Sequence, residues 1–193
     1  MRLTGSVRHW LRAETRADHD AVDAVYNRLD LREAAGLRLF LQAHARALLP
    51  LETALDVAGV ERFLPDWDDR RRSAALLADL RALNAAPPRT ETAPVFDGEA
   101  AVLGAAYVLE GSRLGGRLLS RAVASSADPE VRAADRYLTH GQGGALWPAF
   151  LAKLDASPAL QARPEAALTA ARLAFRAFRD ALASPASQLA ATI

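Results

Sequence analysis

Three glycines lie close together within a segment that otherwise has the pattern of a helix: Gly111, Gly115 and Gly116. They interrupt the run 100–124, in which apolar residues recur at spacings of three and four. Each glycine costs up to about 1 kcal/mol relative to alanine in a helix. Spacings of four and five put all three on one helix face, where a flat ligand can approach the backbone or the helix can bend. Close packing against another helix explains the same pattern, so the glycines alone name no ligand.

A histidine occurs on the apolar side of the first predicted helix. The spacing of the apolar residues in this helix places His19 in an inward stripe, not on the solvated side. The stripe consists of Leu11, Thr15, His19, Val22 and Tyr26. Arg12 and Arg16 lie within the two turns before His19, and Asp23 lies one turn after it. A single histidine on an apolar face is usually a core residue, so its position alone does not make it a ligand.

Three further features carry charge or imidazole groups without a clear chemical role. The run 70–72 consists of three arginines and follows several aspartates, which predicts a solvated helix start. His44 lies on the buried side of the second predicted helix and has the same ambiguity as His19. His140 falls in a glycine-rich loop. We expect both histidines to be structural or exposed.

Composition favours closely packed helices. The chain has 193 residues, of which 51% are hydrophobic and only 6% aromatic, and this length suits one domain with a proper core. There is no cysteine, which excludes disulfides, zinc–thiolate sites and thiol catalysis. The formal net charge of +1 argues against nucleic-acid binding through overall electrostatics. The basic residues are almost all arginine, which suits bidentate carboxylate binding.

The helical pattern continues along the whole chain. We predict helices over 6–27 with Ser6 as N-cap, 31–59 with a kink at Pro50, 68–84, 100–124, 128–138, 147–154 and 164–182. The proline-rich stretch 85–98 reads as a surface connection, and 184–193 as a loose tail. Without strand-like alternation, the sequence predicts an all-α bundle forming a single domain over 1–193. No apolar run approaches the ~20 residues of a membrane span and 1–10 has no secretory signal, so we expect a cytoplasmic protein with no membrane contact.

Two of these stretches together resemble a known family. Residues 11–19 (LRAETRADH) resemble the proximal helix of heme oxygenases. Residues 107–116 (YVLEGSRLGG) resemble their distal helix, especially in the bacterial branch often associated with bacteriophytochromes. The order, separation and helical setting of the two motifs fit as well. The resemblance extends from about 11 to 182 and is faintest over 31–100.

The resemblance implies a heme between the first helix and a kinked, glycine-rich distal helix. In this family the histidine matching His19 ligates the iron from the proximal side. Asp23 is placed to orient that imidazole and raise its basicity, directly or through water. The residues matching Arg12 and Arg16 lie near the heme propionates, which suits the arginine fork. Tyr107 begins the matched distal stretch and is expected to contact the heme.

The same resemblance assigns the distal side. Gly111, Gly115 and Gly116 would leave the oxygen side of the iron open, so that steric direction and water-mediated hydrogen bonds select the carbon attacked. Some family members carry an aspartate after the first glycine, where this chain has Ser112, which leaves the source of protons open.

Two arginines flank the distal glycines. We expect Arg113 and Arg117 to reach a propionate or the solvent edge; exposed helix arginines are the other interpretation of both.

The implied activity is heme oxygenase: heme b, both substrate and cofactor, is cleaved with dioxygen to biliverdin, carbon monoxide and ferrous iron. Electrons must come from outside, from a ferredoxin or a reductase, because no flavin or nicotinamide motif occurs. A functional link to a bacteriophytochrome is compatible with this. The alternatives are a heme-delivery protein of the same fold and, third, a related helical protein with another ligand. A related protein with another ligand would need clustered carboxylates or histidines that face inward. The apolar faces of the predicted helices contain few of them.

Overall fold

The chain folds as a bundle of helices in the computed structural model, which describes residues 6–90 and 92–183. Its helices are α1 (Val7–Glu14), α2 (Arg16–Tyr26), α3 (Ala34–Val57), α4 (Trp67–Arg70), α5 (Ser73–Ala82), α6 (Gly98–Ala124), α7 (Pro129–Ala133), α8 (Arg136–Thr139), α9 (Leu146–Ala156), α10 (Pro158–Ala162) and α11 (Pro164–Ala183), with a 3₁₀ turn at Val60–Arg62. No strand occurs in the described residues, so the predicted all-α class is confirmed. None of these described helices is long and apolar enough to cross a membrane. The predicted tail 184–193 lies outside the described residues.

The first predicted helix is divided in two at Thr15. The Thr15 hydroxyl donates to the Leu11 carbonyl oxygen at 2.7 Å, an interaction that competes with regular helical bonding and bends helices. α1 and α2 therefore have separate contacts. Ser6 precedes α1 as predicted, but its hydroxyl donates to Asp155 on α9 at 2.8 Å and does not cap the helix. α1 is thereby fixed to α9.

The third predicted helix is also divided, between α4 and α5. Arg71 has an extended backbone (φ −62°, ψ 135°), and the chain turns before α5 begins at Ser73. Glu52, buried on α3, supplies the acceptors for this turn. Its carboxylate accepts from the backbone N–H of Arg72 at 2.8 Å and that of Ser73 at 3.1 Å. A side chain distant in sequence thus determines where α5 begins.

The last helix, α11, forms one wall of the core and contacts both helices of interest. Its buried face includes Leu168, Ala171, Phe175 and Phe178, which recur at helical spacing. α6 approaches it at Gly104, where an added Cβ would lie 2.2 Å from the Ala167 carbonyl oxygen. α2 packs on the other side of α11, where the Tyr26 hydroxyl donates to the Phe178 carbonyl oxygen at 2.9 Å. α2 and α6 therefore both pack against α11.

α2 runs in the same direction as α11. Residue numbers increase together along the two helices at their contacts. Arg172 lies 3.4 Å from Asp18, and the Phe175 ring lies 6.1 Å from that of His19. On α6, Tyr107 interacts with the Thr15 hydroxyl at the junction of α1 and α2. His19 and Gly111 each lie one turn beyond this Thr15–Tyr107 contact. The region beyond this contact, with His19 on α2 and Gly111 on α6, is called the cleft below.

Close packing at Gly104 yields a stability test. Gly104→Ala should lower the free energy of unfolding by about 1–3 kcal/mol, because the new methyl group meets rigid Ala167 backbone atoms. Gly115→Ala is the matched control on the same helix, since nothing lies within 4 Å of a Cβ there. That control should gain up to about 1 kcal/mol of helix propensity. Urea unfolding of the heme-free protein measures both, and equal effects would contradict the packing.

Candidate functional site

His19 is more exposed than the sequence pattern indicates. Its side chain is 60% exposed, and its ring meets Phe175 edge-on. The prediction of a buried inward stripe is therefore wrong at this position, although Leu11, Thr15 and Tyr26 are buried. The stripe assumed one continuous helix, whereas α2 starts anew after Thr15 and packs against α11 on one side only. The imidazole is consequently accessible from the cleft.

The surroundings of His19 orient its ring. Its Nδ1 lies 3.3 Å from a carboxylate oxygen of Asp23 and 3.9 Å from one of Asp20. A proton on Nδ1 faces these carboxylates, which leaves the Nε2 lone pair free to bind a metal. No group of three or more His, Asp or Glu side chains in the described residues could hold a metal ion. The geometry therefore suits a single axial ligand to a metal that a cofactor supplies.

The three glycines of α6 have different surroundings. A Cβ on Gly115 would meet nothing within 4 Å, and one on Gly111 would lie 3.7 Å from the Trp147 ring. A Cβ on Gly116 would lie only 2.8 Å from the Leu138 carbonyl oxygen. The expectation that all three share one ligand-facing face is therefore wrong for Gly116, which allows α8 to pack closely. Gly115 leaves its face open, Gly111 lies beside the Trp147 ring, and α6 remains helical throughout.

Exposed leucines adjoin the open glycine face. The fractional exposure is 54% for Leu114 and 69% for Leu118. Leu118 is one of the apolar residues whose spacing predicts an amphipathic helix over 100–124, and its exposure is contrary to that pattern. Together with Gly115 these leucines form an apolar strip at the cleft. Such a strip suits a flat apolar ligand, because apolar contacts and close backbone approach are both available.

The four arginines expected at the site fall into two groups. Arg12, Arg16 and Arg117 are exposed, and Arg16 has only a loose 3.7 Å ion pair with Asp20. Arg113 is 8% exposed, and all three of its guanidinium nitrogens are engaged. It contacts Glu110, His140 and the Arg70 carbonyl oxygen. Both predictions for Arg113, a propionate ligand and an exposed arginine, are therefore wrong, because its binding capacity is used within the protein.

Two buried arginines behind α6 were missed by the sequence analysis. Arg70 is 2% exposed and Arg72 is 4% exposed, so the prediction of a solvated helix start is wrong. Arg70 donates to Glu110 at 2.6 Å and to both oxygens of Asp66 at 2.7 Å. Burial opposes the charge on Arg70, but these carboxylates outweigh it and raise its pKa. The usable signal was Glu110, because a carboxylate buried in the core needs a cation beside it.

Ser112 occupies the position where some family members carry an aspartate. Its hydroxyl donates to the Leu109 carbonyl oxygen at 2.8 Å and accepts from the Arg72 guanidinium at 2.8 Å. The same guanidinium nitrogen also donates to the Leu109 carbonyl oxygen. The only proton of Ser112 is thus engaged by the backbone. Ser112 connects Arg72 to the distal helix and has no free proton to donate.

His44 is structural, as expected. Aromatic rings surround it, namely Tyr26, Phe40, Tyr137 and Phe178, with centroids 4.0–5.5 Å away. Its Nδ1 lies 2.8 Å from the Tyr137 hydroxyl. Burial, and secondarily the charge of Arg72, lower the pKa of His44 to about 3. His44 is therefore neutral at physiological pH.

An exposed imidazole on one helix and an open glycine face on another suit a helical protein that binds a flat cofactor carrying a metal. A heme oxygenase of Xanthomonas campestris pv. campestris is 32% identical over 146 residues, which cover 76% of this chain and 88% of that protein. The chain belongs to the heme oxygenase family. No protein-family model matches it.

The fold comparison agrees with this assignment. The NO- and CO-bound heme oxygenase of Neisseria meningitidis superimposes with a TM-score of 0.71 at 22% identity. The match covers 92% of this chain and 90% of that one, so the two chains share a fold over nearly their whole lengths.

The enclosed His44 predicts a pH dependence of stability. Its pKa is about 3 in the folded chain and 6.5 ordinarily, so below pH 6.5 the unfolded state binds a proton that the folded state does not. Stability should therefore fall as pH decreases from about 6.5 towards 3, with a slope of up to about 1.4 kcal/mol per pH unit from this group. His44→Gln, which keeps an acceptor for Tyr137, should lack this component. Urea unfolding between pH 7 and 4 measures the difference, with exposed His9→Gln as control.

Proposed function

We propose that the chain acts as a heme oxygenase, cleaving heme b to biliverdin, carbon monoxide and ferrous iron with dioxygen and external electrons. This proposal rests mainly on the cleft. The exposed imidazole of His19 lies on one of its two helices, and the open backbone face at Gly115 lies on the other. Family membership supports the same activity. Non-covalent heme b is the form proposed because the chain lacks the cysteines that covalent attachment needs.

On the proximal side, His19 would bind the heme iron through Nε2. Asp23, 3.3 Å from Nδ1, would hold the ring orientation and increase its basicity. Arg12 and Arg16 are exposed near the same end of α2 and would pair with the propionates. Tyr107 interacts with Thr15 at the base of the cleft, where burial raises its pKa and keeps the phenol neutral. These groups would bind and orient the substrate.

On the distal side, heme supplies the oxygen chemistry, and the protein shapes the space in which it occurs. Gly115 presents backbone to open space, and Gly111 presents it beside the Trp147 ring, so neither position supplies an acidic side chain. Ser112 would act by holding α6 to Arg72, because its own proton is engaged. Proton delivery would then run through ordered water at the open face and not through a side-chain carboxylate.

The central experiment is a hemin titration of the wild type and His19→Ala, followed by ascorbate or by ferredoxin with its reductase in air. The wild type should form a one-to-one Soret complex that decays to biliverdin absorption. His19→Ala should still bind hemin in the cleft, with turnover at least about 100-fold slower, because the axial ligand is lost. His9→Ala, exposed on the preceding helix, is the matched control. A wild-type complex that stays intact under reductant and oxygen would instead indicate a heme carrier.

The open face at Gly115 makes a second prediction. Gly115→Leu should keep the fold, since nothing lies within 4 Å of the new Cβ, but the side chain would project into the space proposed for heme. Hemin affinity should fall by about tenfold or more, corresponding to at least roughly 1.4 kcal/mol. Soret titration measures the affinity, and circular dichroism verifies the helix content. Unchanged affinity in a folded variant would place heme elsewhere.

The electron donor is proposed to be an acidic ferredoxin or reductase that docks on exposed arginines around the cleft. Arg117→Glu should raise the KM for reduced ferredoxin at low salt, because steering of a charged partner depends on rim charges. Ascorbate-driven turnover should be unchanged and serves as the internal control. An unaltered KM would remove Arg117 from the docking surface. Supply of biliverdin to a bacteriophytochrome is the proposed use of the product.

A further inference from the structure

A small polar cavity lies behind the distal helix, on the side away from the open glycine face. Its volume is about 20 Å³, more than the roughly 10–15 Å³ that one water molecule needs and too small for an organic ligand. Arg72, Arg113, Ser112, Tyr137, His44 and His140 supply its polar lining. No aspartate or glutamate is among the lining residues. A charged lining of one sign around a small, partly open space indicates a bound counterion or ordered water.

Arg72 is the key cation because its own contacts are neutral. Its Nη2 donates to the Leu109 carbonyl oxygen and to the Ser112 hydroxyl, each at 2.8 Å. Within residues 6–90 and 92–183, no carboxylate oxygen lies within 4 Å of this guanidinium, and Nε and Nη1 donate to no protein acceptor. Glu52 balances the charge from a distance, because it binds backbone N–H groups at Arg72 and Ser73. Two donor nitrogens of a 4% exposed arginine therefore lack protein partners.

The other groups around the cavity add donors more than acceptors. Arg113 can only donate, so its 3.1 Å contact makes His140 Nδ1 the acceptor and puts the imidazole proton on Nε2. Burial and the neighbouring arginines lower the pKa of His140, which keeps it neutral. Arg113 has its own carboxylate in Glu110. The cavity therefore contains more hydrogen-bond donors than acceptors, and the unpaired donors belong to Arg72.

We propose that this cavity binds a small monovalent inorganic anion of halide size, held by the free N–H groups of Arg72. An anion satisfies these hydrogen-bond donors better than water does, since each hydrogen bond is then charge-assisted. It would also compensate a buried guanidinium that no described side chain pairs directly. The anion would stabilise the junction of α5, α6 and α8, independently of heme turnover. The site therefore goes beyond the proposed activity.

The test uses the full-length, heme-free protein. Chloride replaces gluconate, which is too large for the cavity, at constant ionic strength, and the thermal midpoint and the ³⁵Cl NMR linewidth are followed. Chloride at ten times its dissociation constant should lower the unfolding constant about 11-fold and raise the midpoint by a few degrees. Arg72→Gln should abolish the response, whereas Arg121→Gln, at an exposed arginine on α6, should retain it. Wild-type crystals soaked in bromide should show an anomalous peak beside Arg72.

The contrary results are equally specific. A midpoint without saturable chloride dependence, together with water and no bromide in the cavity, would overturn the proposal. An unchanged chloride response in Arg72→Gln would do so as well. If Arg72→Gln does not fold, the wild-type linewidth and bromide measurements decide alone. Hemin binding and turnover are not among these readouts, so failure here leaves the proposed activity untouched.

Discussion

One buried carboxylate holds the working part of this fold together. Glu110 is 1% exposed and lies between the guanidinium groups of Arg70 and Arg113. A buried charge is tolerated only where its partners and remaining hydrogen bonds are supplied, and removal of one partner costs about 3–5 kcal/mol. The two arginines extend this constraint to the α4 turn, to the loop at His140 and, through the Leu146 carbonyl oxygen, to α9. The position of α6 is therefore fixed from behind by charge.

This arrangement leaves the opposite face of α6 free. Gly116 lets the Leu138 backbone approach, and Gly104 does the same for Ala167, so two sides of the helix are tightly packed. Gly115 leaves open space on the cleft side. Missing side chains thus have two opposite uses along one helix: close packing where the neighbour is backbone, and open space where the neighbour is the proposed heme. Rigid support behind an open face is what a precisely oriented substrate requires.

Much of the fold was predictable because it depends on local signals. Pro164 and the Asp128–Pro129 pair mark helix starts correctly, and the Asp128 carboxylate caps its helix through the Glu130 N–H at 2.8 Å. The breaks at Thr15 and Arg71 were missed for different reasons. The first depends on a hydroxyl bonding back to the preceding turn, and the second on Glu52, about 20 residues away. Neither changes the hydrophobic period of the segment.

The site was predictable only in part, for a related reason. Periodicity groups residues on a helix face but does not say whether another element covers that face, which explains the errors at His19 and Leu118. The arginine run at 70–72 resembles a solvated helix start until its partner, 40 residues away, is known. Sequence resemblance predicted a heme site between a pair of helices, and this stays a prediction. It could not separate Arg113, whose charge is used internally, from the exposed arginines around it.

The open glycine face also affects the stability of the heme-free protein. A helix interrupted by glycines sacrifices up to about 1 kcal/mol at each, and at Gly115 no protein contact offsets the loss. A ligand that binds only the folded chain adds stability in proportion to the logarithm of its concentration. With heme as that ligand, the folded population, and with it resistance to proteolysis, would rise and fall with heme supply. The enzyme would then persist longest where its substrate is abundant.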